Sequence, residues 1–191
     1  GNDCVKDRGN IFSSTLTAAV EATTGLEAEI IVVNDSQTGT PVVPESYPGV
    51  KLLQNAAHGV ASARNLGARN ATGEIILFLD DDIVISGQSL RHVLSLHREQ
   101  ERIAVNPDWV YPPERVKAIE QTIFGRFLIK HQMTSFRGWY SDASWKENEI
   151  FQSASVASFH LSMRRADFMR TGGYDENFPF AGFEDYDFPY R

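Results

Sequence analysis

Two apolar runs, each closing on carboxylates, constrain this chain more than any other feature. Glu29-Ile30-Ile31-Val32-Val33 runs into Asn34-Asp35, and Ile75-Ile76-Leu77-Phe78-Leu79 runs into Asp80-Asp81-Asp82. Short, unbroken, β-branched runs read as strands buried on both faces, the pattern of a parallel sheet covered by helices. Between them, Val60 to Ala71 reads as a helix rich in small residues (Ala61, Ser62, Ala63, Gly67, Ala68, Ala71), which lets it approach a sheet closely; Gly73 ends it. Strands alternating with helices imply an α/β domain. In open α/β sheets, ligands bind outside the carboxyl ends of the strands. Asp35 and Asp80 to Asp82 are therefore expected to share one cleft.

The remaining elements are read from period and punctuation. Asn10 to Gly25 is expected to be a helix, with Asn10 as its cap and Phe12, Leu16, Ala19 and Val20 on one face. Pro41 to Pro48 carries three prolines and reads as loop or sheet edge, before a short strand at Val50 to Leu53. Ser86 can cap a helix through His97, with Leu90, Val93, Leu94 and His97 inward. Ile103 to Tyr111 has strand-like content but includes Pro107. Pro112-Pro113 opens a long amphipathic helix with Val116, Ile119, Ile123 and Phe127 at helical spacing. That stripe is taken as core packing, since any surface helix shows one; contact with a membrane or partner is the other reading. Ser155 to Met163 reads as a strand, and Arg165 to Thr171 as one or two helical turns closed by Gly172-Gly173. The tail, Tyr174 to Arg191, is acidic and aromatic.

Composition narrows the functional classes. With 191 residues the chain is long enough for one domain with a core of its own. A net charge of −7 argues against a protein that grips nucleic acid with its overall field. One cysteine, Cys4, excludes an internal disulfide framework and a cysteine-based zinc site. No apolar run approaches ~20 residues, and the start is polar, so neither a spanning helix nor a signal peptide is read. The expected location is the cytoplasm or the cytoplasmic face of a membrane.

Three adjacent carboxylates repel one another and persist only with compensation. In extended chain after a strand, Asp80 and Asp82 point the same way and can face one divalent cation. Hard oxygen ligands suit Mg²⁺ or Mn²⁺, which often take one or two carboxylates plus substrate phosphates. A solvated acidic turn is the plainer reading of an isolated triplet. Glu184-Asp185 with Asp187 forms a second acidic cluster among aromatics, where poor solvation raises a carboxylate toward general-base use. Taken alone, such a pair is better explained as an ordinary acidic helix start. Arg64 can answer a diphosphate or make a surface ion pair. Trp139, Tyr140 and Trp145 can line a sugar site or simply pack.

In combination these pieces resemble a family. A strand ending in Asn34-Asp35-Ser36, the helix in GVASARNLGARNATG, the strand ending in Asp80-Asp81-Asp82, and GGYDENFPFAGFEDYDFPYR occur in the order found in family 2 nucleotide-sugar glycosyltransferases. The resemblance covers nearly the whole chain. It implies a three-layer, Rossmann-like GT-A fold with a mostly parallel central sheet. The chain is then one domain, residues 1–191, with a nucleotide-binding half at 1–102 and an acceptor-binding half at 103–191. The implied activity is metal-dependent, inverting transfer from a nucleotide diphosphate sugar to a carbohydrate or other hydroxyl acceptor, as in polysaccharide biosynthesis.

By the same resemblance Asp185 matches the catalytic base and Glu184 its acidic neighbour at the acceptor. Asp35, Asp7, Arg64, Asp80 and Asp81 match nucleotide-binding positions. Asp82 and Asp80 match the outer acids of the D-x-D motif that holds Mn²⁺ or Mg²⁺, with Asp82 the direct ligand. Two departures stand out: Cys4 occupies the place of a proline, and no apolar first strand precedes it, so the domain is expected to be trimmed at both ends. Two alternatives remain: a sugar-1-phosphate nucleotidyltransferase, expected to show an N-terminal Gly-rich, basic phosphate loop that is not seen here, where the first strand is also missing, and a non-catalytic nucleotide-sugar-binding module.

Overall fold

A computed structural model describes residues 3–139, 145–146, 148–153, 156–178 and 181–191, with backbone only for 3–8. The chain forms two compact units: Gly1–Asn106 with Ser155–Arg191, and Pro107–Ala154.

In the first unit the chain runs α1 (Asp3–Ala22), β1 (Ile30–Asn34), β2 (Val50–Gln54), α2 (Val60–Asn70), β3 (Ile75–Leu79), α3 (Gly87–Glu99) and β4 (Ala104–Val105). The second unit supplies α4 (Pro113–Glu120) and α5 (Ile123–Lys130). The chain then returns through β5 (His160–Arg164), α6 (Arg165–Thr171) and α7 (Phe183–Asp187).

β1 and β2 pair in parallel, from Ile30 opposite Val50 to Asn34 opposite Gln54. The other sheet has the order β3-β5-β4 and is antiparallel throughout. Where a single mostly parallel sheet was expected, the strands thus pair as a parallel sheet, β1–β2, and an antiparallel one around β5. β5 is its centre, and Leu161 and Ser162 on opposite faces are both fully buried. Small residues do set the approach of α2: a Cβ at Gly67 would sit 3.4 Å from Val33 Cγ2.

The main core joins Ile76 and Phe78 of β3, Leu161 and Met163 of β5, Ala61 and Ala68 of α2, and Phe168, Tyr174 and Phe188. Its aromatic part is contiguous, with the Tyr174 and Phe188 rings stacked 4.5 Å apart and Phe78 edge-on to Tyr174 at 5.7 Å. The acidic tail therefore docks on the sheet through its aromatics.

Several elements differ from the reading above. α1 starts at Asp3 rather than being capped at Asn10, because nothing between Cys4 and Asn10 stops a helix. Gly25, with φ 78, follows it in the turn. Of Ile103 to Tyr111 only Ala104 and Val105 form a strand, with Val110 making an isolated bridge to Ser135, and of Ser155 to Met163 the strand begins at His160. The long helix from Pro112 is two helices. Thr122 Oγ1 accepts from Gly125 N at 2.8 Å and restarts the chain as an N-cap. The break shifts the phase of the stripe, so Ile123 and Phe127 point outward while Gly125 and Leu128 are buried. Trp145 packs edge-on against Phe136 at 6.1 Å and Phe151 at 5.5 Å, which is packing rather than a sugar platform. Tyr140 lies outside the described residues.

Candidate functional site

The register of β3 against β5 builds the centre of the site. Leu79 pairs with His160, and the ladder continues one step as Asp80 N donates to Phe159 O at 2.9 Å. The acidic end of β3 is thereby fixed beside Ser158 and Phe159. Asn106 braces that segment from behind. Its Nδ2 donates to Ala157 O at 2.6 Å and His160 O at 2.7 Å, and its Oδ1 accepts from Ala157 N at 3.0 Å.

Arg64, on α2, reaches the same place. Its Nη2 donates to Asp80 Oδ1 at 3.1 Å and its Nη1 to Glu184 Oε1 at 2.9 Å, with Asp185 Oδ1 3.7 Å away. The guanidinium also lies 5.5 Å from the Tyr174 ring centroid. Burial pulls the Arg64 pKa down, but Asp80, Asp185 and Tyr174 outweigh it and hold it above its ordinary value. With only 12% of its side chain exposed, Arg64 is a buried hub rather than a surface ion pair.

Glu184 and Asp185 lie side by side in the first turn of α7, where carboxylates suit the helix dipole. They face different surroundings. Glu184 is 2% exposed, and its Oε2 accepts from Gly182 N at 2.6 Å. Both its oxygens are engaged within the protein. Asp185 is partly open. It accepts from Ser158 N at 3.3 Å and from the Ser158 hydroxyl. A hydroxyl has one hydrogen to give, so Ser158 spends its own on Asp185, and the Tyr174 hydroxyl must donate to Ser158 Oγ. Burial pushes the Asp185 pKa up, against the pull of Ser158 and Arg64.

Asn65 ties the same helix to the tail. Its Nδ2 donates to Tyr174 O and Glu176 Oε1, each at 2.8 Å, and its Oδ1 accepts from Tyr174 N at 2.9 Å. The fit requires glycine at 173, where φ is 75 and a Cβ would come within 2.5 Å of Asn65 Oδ1.

Asp35 sits at the N-terminal end of α2. Both its oxygens accept from Gly59 N at 3.0 Å, and Oδ1 accepts from Asn55 Nδ2 at 2.7 Å. Gly59 caps α2, and Arg64 follows about 7.5 Å further along the helix axis. A cavity of about 440 Å³ opens beside Asp35 at the carboxyl ends of β1 and β2, lined by Ser36, Gln37, Thr40, Gln54, Asn55 and His58 among others. Asp81 and Asp82 are exposed in the turn after β3. Asp7 falls in α1 where side chains lie outside the described residues.

The structure thus gathers Arg64, Asp80, Glu184 and Asp185 into one cluster and holds Asp35 at the start of the same helix. Ser158 and Asn55 were missed by sequence reasoning. Asn55 had a weak signal, an amide in the turn between a strand and a helix; Ser158 had none.

No group of three or more His, Cys, Asp or Glu side chains among the described residues is arranged to hold a metal by itself. The chain after β3 is not extended as expected: Ile83 N donates to Asp80 O at 3.2 Å, closing a turn that holds Asp82, and Asp80 Oδ1 is held by Arg64. Asp80 and Asp82 still supply hard carboxylate oxygens, a donor type that fits Mg²⁺ or Mn²⁺ completed by phosphate and water.

Comparison with known proteins identifies the group. The description of glycosyl transferase family 2 matches residues 4–172, and the chain belongs to that family. Validoxylamine A glucosyltransferase of Streptomyces hygroscopicus subsp. jinggangensis is 27% identical over 97% of this chain and 49% of its own length. Polypeptide N-acetylgalactosaminyltransferase 5 of Mus musculus is 23% identical over 85% of this chain and 19% of its own length. The crystal structure of GalNAc-T7 with UDP, GalNAc and Mn²⁺ superposes with a TM-score of 0.65 at 17% identity, covering 94% of this chain and 37% of that one. The fold is therefore GT-A. The chain spans about half the length of the validoxylamine A glucosyltransferase it matches. No helix among the described residues is long and apolar enough to cross a membrane.

Proposed function

We propose that this chain is the catalytic domain of an inverting glycosyltransferase, moving a sugar from a nucleotide diphosphate donor to an acceptor hydroxyl, with Asp185 as the general base. The observation that carries this reading is the Arg64 hub, which ties the acidic end of β3 to the two acids at the start of α7.

Residues 1–102 hold the nucleotide in this reading, with Asp35 beside the cavity at the ends of β1 and β2, and residues 103–191 contribute the acceptor side. Arg64 and Asp81 lie on the diphosphate side. A divalent cation held by Asp82 and Asp80, Mn²⁺ or Mg²⁺, would supply charge neutralisation for the leaving diphosphate. Asp185 takes the proton of the acceptor hydroxyl as its oxygen bonds to the anomeric carbon. The bond from that carbon to the diphosphate oxygen breaks on the opposite face, so one displacement inverts the configuration. Glu184 keeps Arg64 in place rather than meeting the acceptor. The working location is the cytoplasm or the cytoplasmic face of a membrane.

The test is release of nucleoside diphosphate from a panel of nucleotide sugars with Mn²⁺. Asp185→Asn should lower transfer by about 10²- to 10⁴-fold with nucleotide binding retained. Full turnover in Asp185→Asn would refute the base assignment. Asp82→Ala should weaken metal-dependent nucleotide binding by calorimetry; an unchanged metal requirement would remove Asp82 as a ligand.

A further inference from the structure

The second unit carries an exposed apolar surface that holds none of the residues assigned above to the donor, the metal or the base. On α5, Gly125, Leu128 and Ile129 turn inward, leaving Ile123 82%, Phe124 68% and Phe127 49% exposed. At about 100° per residue, Arg126, Lys130, Ile123, Phe127 and Phe124 follow one another around the outward half of the helix. The aromatic side chains form a ladder along it. Phe124 stacks on Phe127 at 6.4 Å and 12°, and Phe127 lies 4.4 Å from the His131 ring. The exposed Trp139 is held to the end of the same helix, since its Nε1 donates to Met133 O at 3.0 Å and Met133 N donates to Leu128 O at 2.8 Å. Large apolar groups grouped on a surface mark an interaction site.

Charge decides what that site meets. From Gln121 to Gly138 there is no Asp or Glu, while Arg126, Lys130 and Arg137 are present, in a chain of net charge −7. Arg126 and Lys130 border the apolar ridge on one side and are exposed. A convex ridge offers no groove for a partner's side chains. It suits a fluid apolar phase under an anionic surface, into which aromatic and aliphatic groups sink while the cations stay at the headgroups.

We propose that α5 is an interfacial anchor, seating Ile123, Phe124 and Phe127 in the headgroup boundary of an anionic lipid bilayer, with Arg126 and Lys130 on the headgroups. This rests on the location proposed above and not on the acidic cluster. One short helix gives weak, reversible, salt-sensitive binding, which suits an enzyme that visits a surface.

The experiment is co-sedimentation of the protein with vesicles of phosphatidylcholine alone or mixed with phosphatidylglycerol, alongside light scattering without lipid. The expected result is sedimentation with the anionic vesicles only, weakened on the order of tenfold or more in Arg126→Gln/Lys130→Gln and lost in Phe124→Ser/Phe127→Ser. These side chains are exposed, so the variants should keep the parent melting temperature. No sedimentation, equal sedimentation with both vesicles, or binding retained by the Phe variant overturns the proposal. A dimer abolished by Phe124→Ser/Phe127→Ser, with no lipid binding, also overturns it and assigns the ridge to a second copy. Failure here with nucleotide release intact leaves the transfer reading standing.

Discussion

Arg64 Nη1 lies 2.9 Å from Glu184 Oε1, joining residues 120 positions apart in sequence. The pair is buried, and each partner has further bonds: Arg64 to Asp80, Glu184 to Gly182 N. Without Glu184 the guanidinium keeps Asp80 and Asp185, so its charge is not stranded, but a hydrogen bond to a largely buried charged group is lost. Glu184→Ala should therefore destabilise the protein by about 1–3 kcal/mol in urea unfolding, and Glu184→Gln by less. Equal stability of Glu184→Ala and the parent would show that Arg64 does not depend on Glu184.

Asp185 is held by Ser158 through a backbone N–H and a hydroxyl. Burial raises the Asp185 pKa and the Ser158 hydroxyl opposes that rise, because it bonds best to the charged carboxylate. The acid limb of kcat/KM should accordingly lie above the range of an ordinary aspartate. It should move further up in Ser158→Ala, with the high-pH plateau less affected than the limb. A limb that stays put in Ser158→Ala would detach Ser158 from the base.

Gly172 and Gly173 both have positive φ, 85 and 75, but their surroundings differ. Nothing lies within 4 Å of a Cβ at 172, whereas one at 173 meets Asn65 Oδ1 at 2.5 Å and Phe168 Cε1 at 3.3 Å. Gly172→Ala should cost about 1 kcal/mol, the backbone penalty alone. Gly173→Ala should cost clearly more and lower activity too, since Asn65 positions the loop that leads to α7. Thermal melts of the two variants, measured together, give the comparison; equal losses would show that the Asn65 contact carries no weight.

His160 is buried in the central strand, and burial pushes its pKa down to about 4 from 6.5. The unfolded chain takes up the proton first as pH falls. Stability is therefore full above the unfolded pKa, is lost as pH drops through the window from 6.5 to about 4, and changes no further below it. The loss is of order 3 kcal/mol. His97, also buried and lowered first by burial, acts in the same direction. Urea midpoints across this window should fall with pH, and the slope should flatten in His160→Gln. An unchanged slope in that variant would place the acid sensitivity elsewhere.

Much of this fold was readable from local signals. The strand at Ile75 to Leu79, the Ser86 cap, the turns from Arg165 closed by Gly172, and the small-residue helix all rest on period, capping and backbone freedom, which act over a few residues. The break between α4 and α5 was not readable. Val116 to Phe127 keeps a helical period, and Thr122 becomes a cap only because Gly125 lets the backbone pass against Ile119, where a Cβ would collide. Within the site, the acids were visible as motifs, but their partners were not. Arg64 meets Asp80 through packing of α2 on the sheet, and Ser158 meets Asp185 because Tyr174 and Phe188 dock the tail on the same core, and neither relation leaves a trace in neighbouring residues.

The dependence of Arg64 on both ends of the chain has a consequence for biosynthesis. α2 and β3 leave the ribosome first, carrying Arg64 and the Asp80 to Asp82 triplet, while Ser158, Tyr174, Glu184 and Asp185 arrive only after a further stretch that includes α4 and α5. Arg64 and Asp80 are thus made well before the acids that complete their cluster. The cluster exists only once the segment from Tyr174 to Asp187 has docked on the sheet, so the later-made segment finishes what the earlier one begins.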